Sequence, residues 1–265
     1  MNRAKPFLYL FFLFALLNIL GEAIGSELIR IYTKPFLMPL LGVWFAQNTY
    51  YHTGKWRSLV LGAIIFSLLG DSMLMVVENP SMGGDTLLFV AGLAAFAVSH
   101  LLYGKFFALQ YPEGKRAAGR TTGLQAIFFI GFLTTALVIL PAIDDLQMWP
   151  YDRYEQYLTL SAVIAYSVII LAVAYLIVGL RAHLAPDLHR MLLLGIGLYL
   201  FSDTLIAVGK FVFPGMSSQI IRPIIMATYL AAQYLLVRGA GEIILEKVVP
   251  TDAPTPQNAP SDRPL

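Results

Sequence analysis

Asp71 and Asp203 each stand inside an apolar run, the first between Gly70 and Ser72, the second between Ser202 and Thr204. A carboxyl group at membrane depth costs ~2.5 to 3.5 kcal/mol on insertion scales, so it is expected to face a bundle interior or a wet cavity and to have a partner. Two such acids sharing a poorly solvated cavity do not both ionise readily, so one can hold a proton while the other is an anion. That is the pairing general acid and base catalysis needs. Glu22, Lys34 and Lys210 lie toward the same ends of their segments and could complete a polar cavity that opens outward. His100 and Tyr103, three apart on a helix, share a face, as do Tyr229 and Gln233, four apart. Those four read as site lining. The competing reading makes each aspartate a hydrogen-bonded tie between helices and His100 a packing residue. It also makes Lys34, just before Pro35, the mark of a helix start whose side chain snorkels to the interface.

The elements that must hold these residues are membrane helices. Hydrophobic residues make up 58% of the chain and charged residues 13%, with a mean hydropathy of +0.70. Soluble domains carry roughly 25% charged residues. At roughly 20 residues per span, the 265 residues predict an all-α, polytopic bundle of about eight transmembrane helices. Windows of about 19 residues place the spans near 7–24, 35–50, 58–77, 86–108, 123–142, 157–180, 191–213 and 219–237. The breaks carry Gly54, Asn79-Pro80, Gly83-Gly84, Pro112, Pro150, Pro186 and Pro214-Gly215, residues that punctuate helices. The first run follows Arg3 and Lys5 as a signal peptide would, but no small-residue cleavage site follows it, and it reads as a retained span.

Counting about 1.5 Å per residue from Ser58 and Met191 puts both aspartates about 18 to 20 Å along their spans, at equal depth. Most of the 18 Lys and Arg residues fall on one side if the N-terminus is cytoplasmic, among them Lys55, Arg57, Lys115, Arg116, Arg120, Arg181, Arg190 and Lys247. The positive-inside bias then predicts both termini in the cytoplasm. Residues 1–249 form the membrane unit in this reading, and the proline-rich stretch 250–265 is a disordered cytoplasmic tail. Phe66 to Leu74 and Leu198 to Ile206 resemble each other and fall in spans three and seven. A four-plus-four duplication with parallel repeats is one account of that likeness, and coincidence is the other.

The chain has no cysteine, which removes thiolate metal sites and a cysteine nucleophile. His52, His183 and His189 read as inner-loop residues without metal-ligand spacing, so neither a metal nor another cofactor is expected. There is no Gly-x-Ser-x-Gly elbow, Walker loop or His-Glu-x-x-His. A net charge of +2 gives no reason to expect a nucleic-acid partner.

The order of motifs is more informative than any one of them. Thr33-Lys34-Pro35-Phe36-Leu37 is followed by Leu68-Leu69-Gly70-Asp71, then by Gly92, Phe96, His100 and Tyr103. Leu200-Phe201-Ser202-Asp203-Thr204-Leu205 comes next, with Lys210, and finally Thr228-Tyr229-Leu230-Ala231-Ala232-Gln233-Tyr234-Leu235. In this order the chain resembles the YhhN-like membrane family of lysoplasmalogenases, over roughly residues 7 to 237. The resemblance implies hydrolysis of the vinyl ether of a lysoplasmalogen to a fatty aldehyde and glycerophosphoethanolamine or glycerophosphocholine. It carries the family's two aspartates onto Asp71 and Asp203, and matches Lys34, His100, Lys210, Tyr229 and Gln233 by position. The expected partners are a lysophospholipid substrate and the surrounding membrane lipid.

The residues suit that chemistry. Protonation of a vinyl ether at its β-carbon gives an oxocarbenium ion, which water attacks to form a hemiacetal that collapses to aldehyde and alcohol. A protonated carboxyl and an ionised one serve those two steps, as paired carboxylates serve glycoside hydrolysis. Lys34 or Lys210 offers a point charge for the phosphate. The alternative from another class is a proton-coupled transporter of small molecules or lipids, which also uses intramembrane acids. Its usual sign, matched spans broken by glycine and proline, is missing around both aspartates.

Overall fold

Apolar runs bounded by glycine, proline and capping residues fold here as helices. The computed structural model describes residues 4–52, 54–77, 86–111, 153–209 and 218–246. Among them are seven α-helices: α1 (Lys5–Ala23), α2 (Glu27–Asn48), α3 (Lys55–Val77), α4 (Thr86–Ala108), α5 (Arg153–Gly179), α6 (Pro186–Ala207) and α7 (Ser218–Glu246). A single 3-10 turn, Leu180–Ala182, follows α5, and the described residues contain no strand. The span expected at 123–142 and the tail 250–265 lie outside the described residues, as does Lys210. Six of these helices are long and apolar enough to cross a bilayer. The chain is an integral multi-pass membrane protein.

Two boundaries differ from expectation for physical reasons. The second span was expected to open at Lys34-Pro35, yet α2 begins at Glu27, where Ser26 accepts a hydrogen bond from the Ile29 amide at 3.5 Å. Pro35 and Pro39 then lie inside the helix, which membrane helices tolerate when neighbouring groups take up the freed carbonyls. Lys34 therefore sits well within a helix rather than at its start. The last helix was expected to stop at 237 but runs to Glu246. Arg238 does not end it because its guanidinium pairs with Glu242 one turn on, at 2.9 Å. His189, expected in a loop, is buried in the first turns of α6 and meets the Ile177 carbonyl at 3.2 Å.

The helices close into a ring in chain order. Each packs on the next from α1 to α7, α7 packs back on α1, and α2 and α3 reach across to α7. The core is rich in fully buried aromatic and aliphatic side chains, including Phe11, Phe45, Tyr103, Phe106, Phe107 and Tyr199. The outer surface is also apolar: Phe12, Leu16, Ile65, Leu69, Leu101, Val168 and Phe201 are exposed. In water such a surface would be an aggregation site, whereas in lipid it is the expected exterior. Helices that gain nothing from hiding apolar surface associate by close backbone approach. Gly70 illustrates it, since a Cβ there would lie 2.6 Å from the Phe96 ring of α4. Gly25, at φ 68°, makes the turn from α1 into α2.

Candidate active site

Asp71 comes from α3, six residues before that helix ends, and is buried at 6% exposure. The Tyr229 hydroxyl of α7 donates to its Oδ2 at 2.8 Å. One turn along α7, the Gln233 amide donates to the Ser67 hydroxyl at 2.9 Å, one turn before Asp71 on α3. Positions that ascend on α3 descend on α7, so the two helices are antiparallel. The same Gln233 nitrogen lies 3.2 Å from the Tyr199 hydroxyl of α6 and 3.3 Å from that of Tyr229. Its carbonyl oxygen accepts from Tyr103 of α4 at 3.3 Å. Tyr103 donates to Gln233 and Tyr229 to Asp71, while the two amide protons of Gln233 are shared among Ser67, Tyr199 and Tyr229. The network thus ends on a carboxylate oxygen, an arrangement in which neighbouring bonds polarise one another.

Ser67 and Ser99 extend the network between α3 and α4, their hydroxyls 2.9 Å apart. Ser99 gives its proton to the Ala63 carbonyl at 2.8 Å, so Ser67 must donate to Ser99 while accepting from Gln233. The Ser67 and Ser99 hydroxyls thus each have a defined direction.

Asp203 lies four residues before the end of α6 and is half-buried. Tyr166 of α5 donates to its Oδ2 at 2.5 Å. His100 connects this end of the site to the other. Its ring meets Tyr166 edge to face at 5.5 Å and Tyr199 at 4.5 Å, and Tyr199 in turn meets Tyr229 at 5.5 Å. His100 Nδ1 lies 2.8 Å from the Phe96 carbonyl, which can only accept, so Nδ1 carries the proton. Nε2 is left as a buried acceptor with no hydrogen-bond partner among the described residues.

A buried hydrogen-bonded network therefore contains Asp71, Tyr103, Tyr199, Tyr229 and Gln233; His100 adjoins it through ring contacts with Tyr199 and Tyr166, and Tyr166 holds Asp203. Glu22 belongs to a second polar group, at the α1–α2 contact. Glu22 is ion-paired with Arg30 at 3.3 Å, and Asn18 donates to Thr33 at 2.8 Å. Lys34 is buried on the same face of α2 as Arg30 and Thr33.

Sequence reasoning missed Tyr166, Tyr199, Ser67, Ser99 and Arg30 as members of these groups. Spacing held a signal for three of them: Ser67 is four residues before Asp71, Tyr199 four before Asp203 and Arg30 four before Lys34, hence on the same helical faces. Tyr166 carries no such mark.

The YhhN family profile matches residues 29–240, which takes in both aspartates and their hydrogen-bond partners and leaves α1 outside. The chain is 30% identical over 187 residues to lysoplasmalogenase TMEM86A from Bos taurus, a match that covers 68% of this chain and 63% of that relative. It thus spans under two thirds of the length of the curated relative. No solved structure matches it. The order of motifs, the helical membrane bundle and a profile match over most of the chain together make this protein a member of the YhhN family.

Proposed function

We propose that this protein is a lysoplasmalogenase, cleaving the vinyl ether of an alkenyl glycerophosphoethanolamine or glycerophosphocholine with Asp71 and Asp203 as its acid and base. The observation that carries the reading is that both intramembrane acids are oriented by tyrosine hydroxyls in adjoining parts of one polar interior. The name of the bovine relative supports the same activity.

One carboxyl delivers a proton to the β-carbon of the vinyl ether. The other takes a proton from water as it adds to the oxocarbenium carbon, giving a hemiacetal. Collapse of the hemiacetal breaks the bond to the glycerol oxygen, which takes up a proton, and releases the fatty aldehyde. Tyr229 and Tyr166 each hold one oxygen of their aspartate, which orients the carboxyl group for these transfers. His100 Nε2, an acceptor beside Tyr166 and Tyr199, is placed to receive a hydrogen bond from water or a substrate hydroxyl. The lipid chain lies between helices or in the surrounding bilayer. Lys34 or Lys210 supplies a cation for the phosphate. Both termini are cytoplasmic, residues 1–249 form the membrane unit, and the site opens toward the outer face.

The test is aldehyde release from an alkenyl lysophospholipid by purified protein in detergent. Wild type should release it, and folded Asp71→Asn and Asp203→Asn variants should lose at least about a hundredfold in rate, the low end for general acid–base groups. No release from folded wild type would sink the hydrolase and favour transport.

A further inference from the structure

A lysine inside a membrane helix normally reaches the interface or pairs with an acid. Lys34 makes no such pair among the described residues. It is 7% exposed, and no hydrogen bond or ion pair joins it to another described residue. Its neighbour one turn toward the start of α2, Arg30, is equally buried but meets Glu22 at 3.3 Å. The Arg30–Glu22 pair balances its own charge at the α1–α2 contact, and Lys34, one turn further along α2, adds a cation. The contact is held by local bonds: Asn18 donates to Thr33, and Thr33 to the Ile29 carbonyl at 2.6 Å.

Depth connects this cation to the aspartates. The short link from Asn48 to Lys55 makes α2 and α3 antiparallel neighbours, so the start of α2 and the end of α3 lie on the same side. Lys34 is about 10 Å in from Glu27, and Asp71 about 9 Å back from Val77. Packed helices stand about 8–10 Å apart. A ligand with an anionic group at Lys34 and a reactive bond near Asp71 must therefore place the two a few covalent bonds apart at one depth. In a glycerophospholipid with a single ether-linked chain, the phosphate and the ether oxygen are separated by the three carbons of glycerol.

We infer that Lys34, one turn along α2 from the Arg30–Glu22 pair, is the phosphate subsite that sets the headgroup of the substrate beside Asp71. The inference deepens the hydrolase reading and rests on it for the identity of the bound lipid, while its binding test does not require turnover.

The probes are 1-O-hexadecyl-glycerophosphocholine, a saturated ether that cannot be cleaved by the proposed route, 1-O-hexadecylglycerol, which lacks the phosphate, and inorganic phosphate. Each is titrated against the purified full-length protein in a phosphate-free detergent while the thermal midpoint is followed. Wild type should be stabilised by the phosphate-bearing ether and not by the alkylglycerol. Lys34→Gln should bind the former about tenfold more weakly or worse, the scale of a lost charge-assisted hydrogen bond, whereas Lys34→Arg should retain it. Without ligand, Lys34→Gln should melt no lower than wild type, because the variant removes a buried cation that has no partner among the described residues. Stabilisation by inorganic phosphate, lost in Lys34→Gln, would keep the subsite and give it a soluble anion as occupant. Equal stabilisation of wild type and Lys34→Gln by the phosphate-bearing ether, or equal stabilisation of wild type by the alkylglycerol, would overturn the subsite. Binding without aldehyde release from the corresponding alkenyl lipid would refute the hydrolase and leave the subsite standing.

Discussion

Hydroxyl groups orient this site. Tyr229 and Tyr166 contribute a single hydrogen bond each to the aspartates, and a bond to a charged acceptor contributes about 1.5–3 kcal/mol. Tyr229→Phe should therefore keep the fold, as judged by thermal midpoint in detergent, while lowering kcat for aldehyde release by about tenfold or more with a smaller change in KM. Tyr166→Phe should act alike through Asp203. Rates equal to wild type would mean that these hydroxyls only fill space. The aspartates, His100, Tyr229 and Gln233 were legible in the sequence because a polar group in an apolar run has few reasons to be there. Tyr166 and Tyr199 were not, because a tyrosine adds little polarity to a hydropathy window and shows its role only when its hydroxyl finds a partner.

At the scale of elements, the positions where helices touch most closely should be the least tolerant. Gly70→Ala puts a methyl group against the Phe96 ring and should lower stability by about 1–3 kcal/mol, the usual cost of overpacking. Combining it with Phe96→Leu should recover part of the loss, measured by denaturation in mixed micelles. Two ion pairs make a second contrast. Arg238 and Glu242 are solvent-accessible, so Glu242→Gln should change stability by less than about 1 kcal/mol. Glu22→Gln removes the acid from a buried pair and should cost about 3 kcal/mol or more. The hydropathy pattern located the described spans but misplaced their ends where a local device overrode it. Ser26 started α2 early, and the Arg238–Glu242 pair carried α7 past an apparent stop.

At the scale of the whole molecule, the closed ring of helices explains why Asp71 and Asp203, far apart in the chain, enter one polar interior. Their similar sequence surroundings suggested a relation, but the connection runs through α4, α5 and α7, which no local pattern revealed. The charge distribution predicts that accessibility tags at the N-terminus and after Glu246 react only when the cytoplasmic face of the membrane is opened. Tags that label from the opposite face would invert the proposed opening of the site.

The antiparallel match of Tyr229 to Asp71 and Gln233 to Ser67 also acts as a vernier. The two pairs are each one helical turn apart, so a slide of α7 by one turn, about 5.4 Å, would bring one of the α7 partners opposite the wrong α3 residue and leave the other pairing unmade. Inserting one alanine between Tyr229 and Gln233 would rotate one partner by about 100° relative to the other, and no rigid shift of α7 could restore both bonds. The site thus checks the alignment of its own helices, and a misthreaded bundle would lose its acid before it lost its fold.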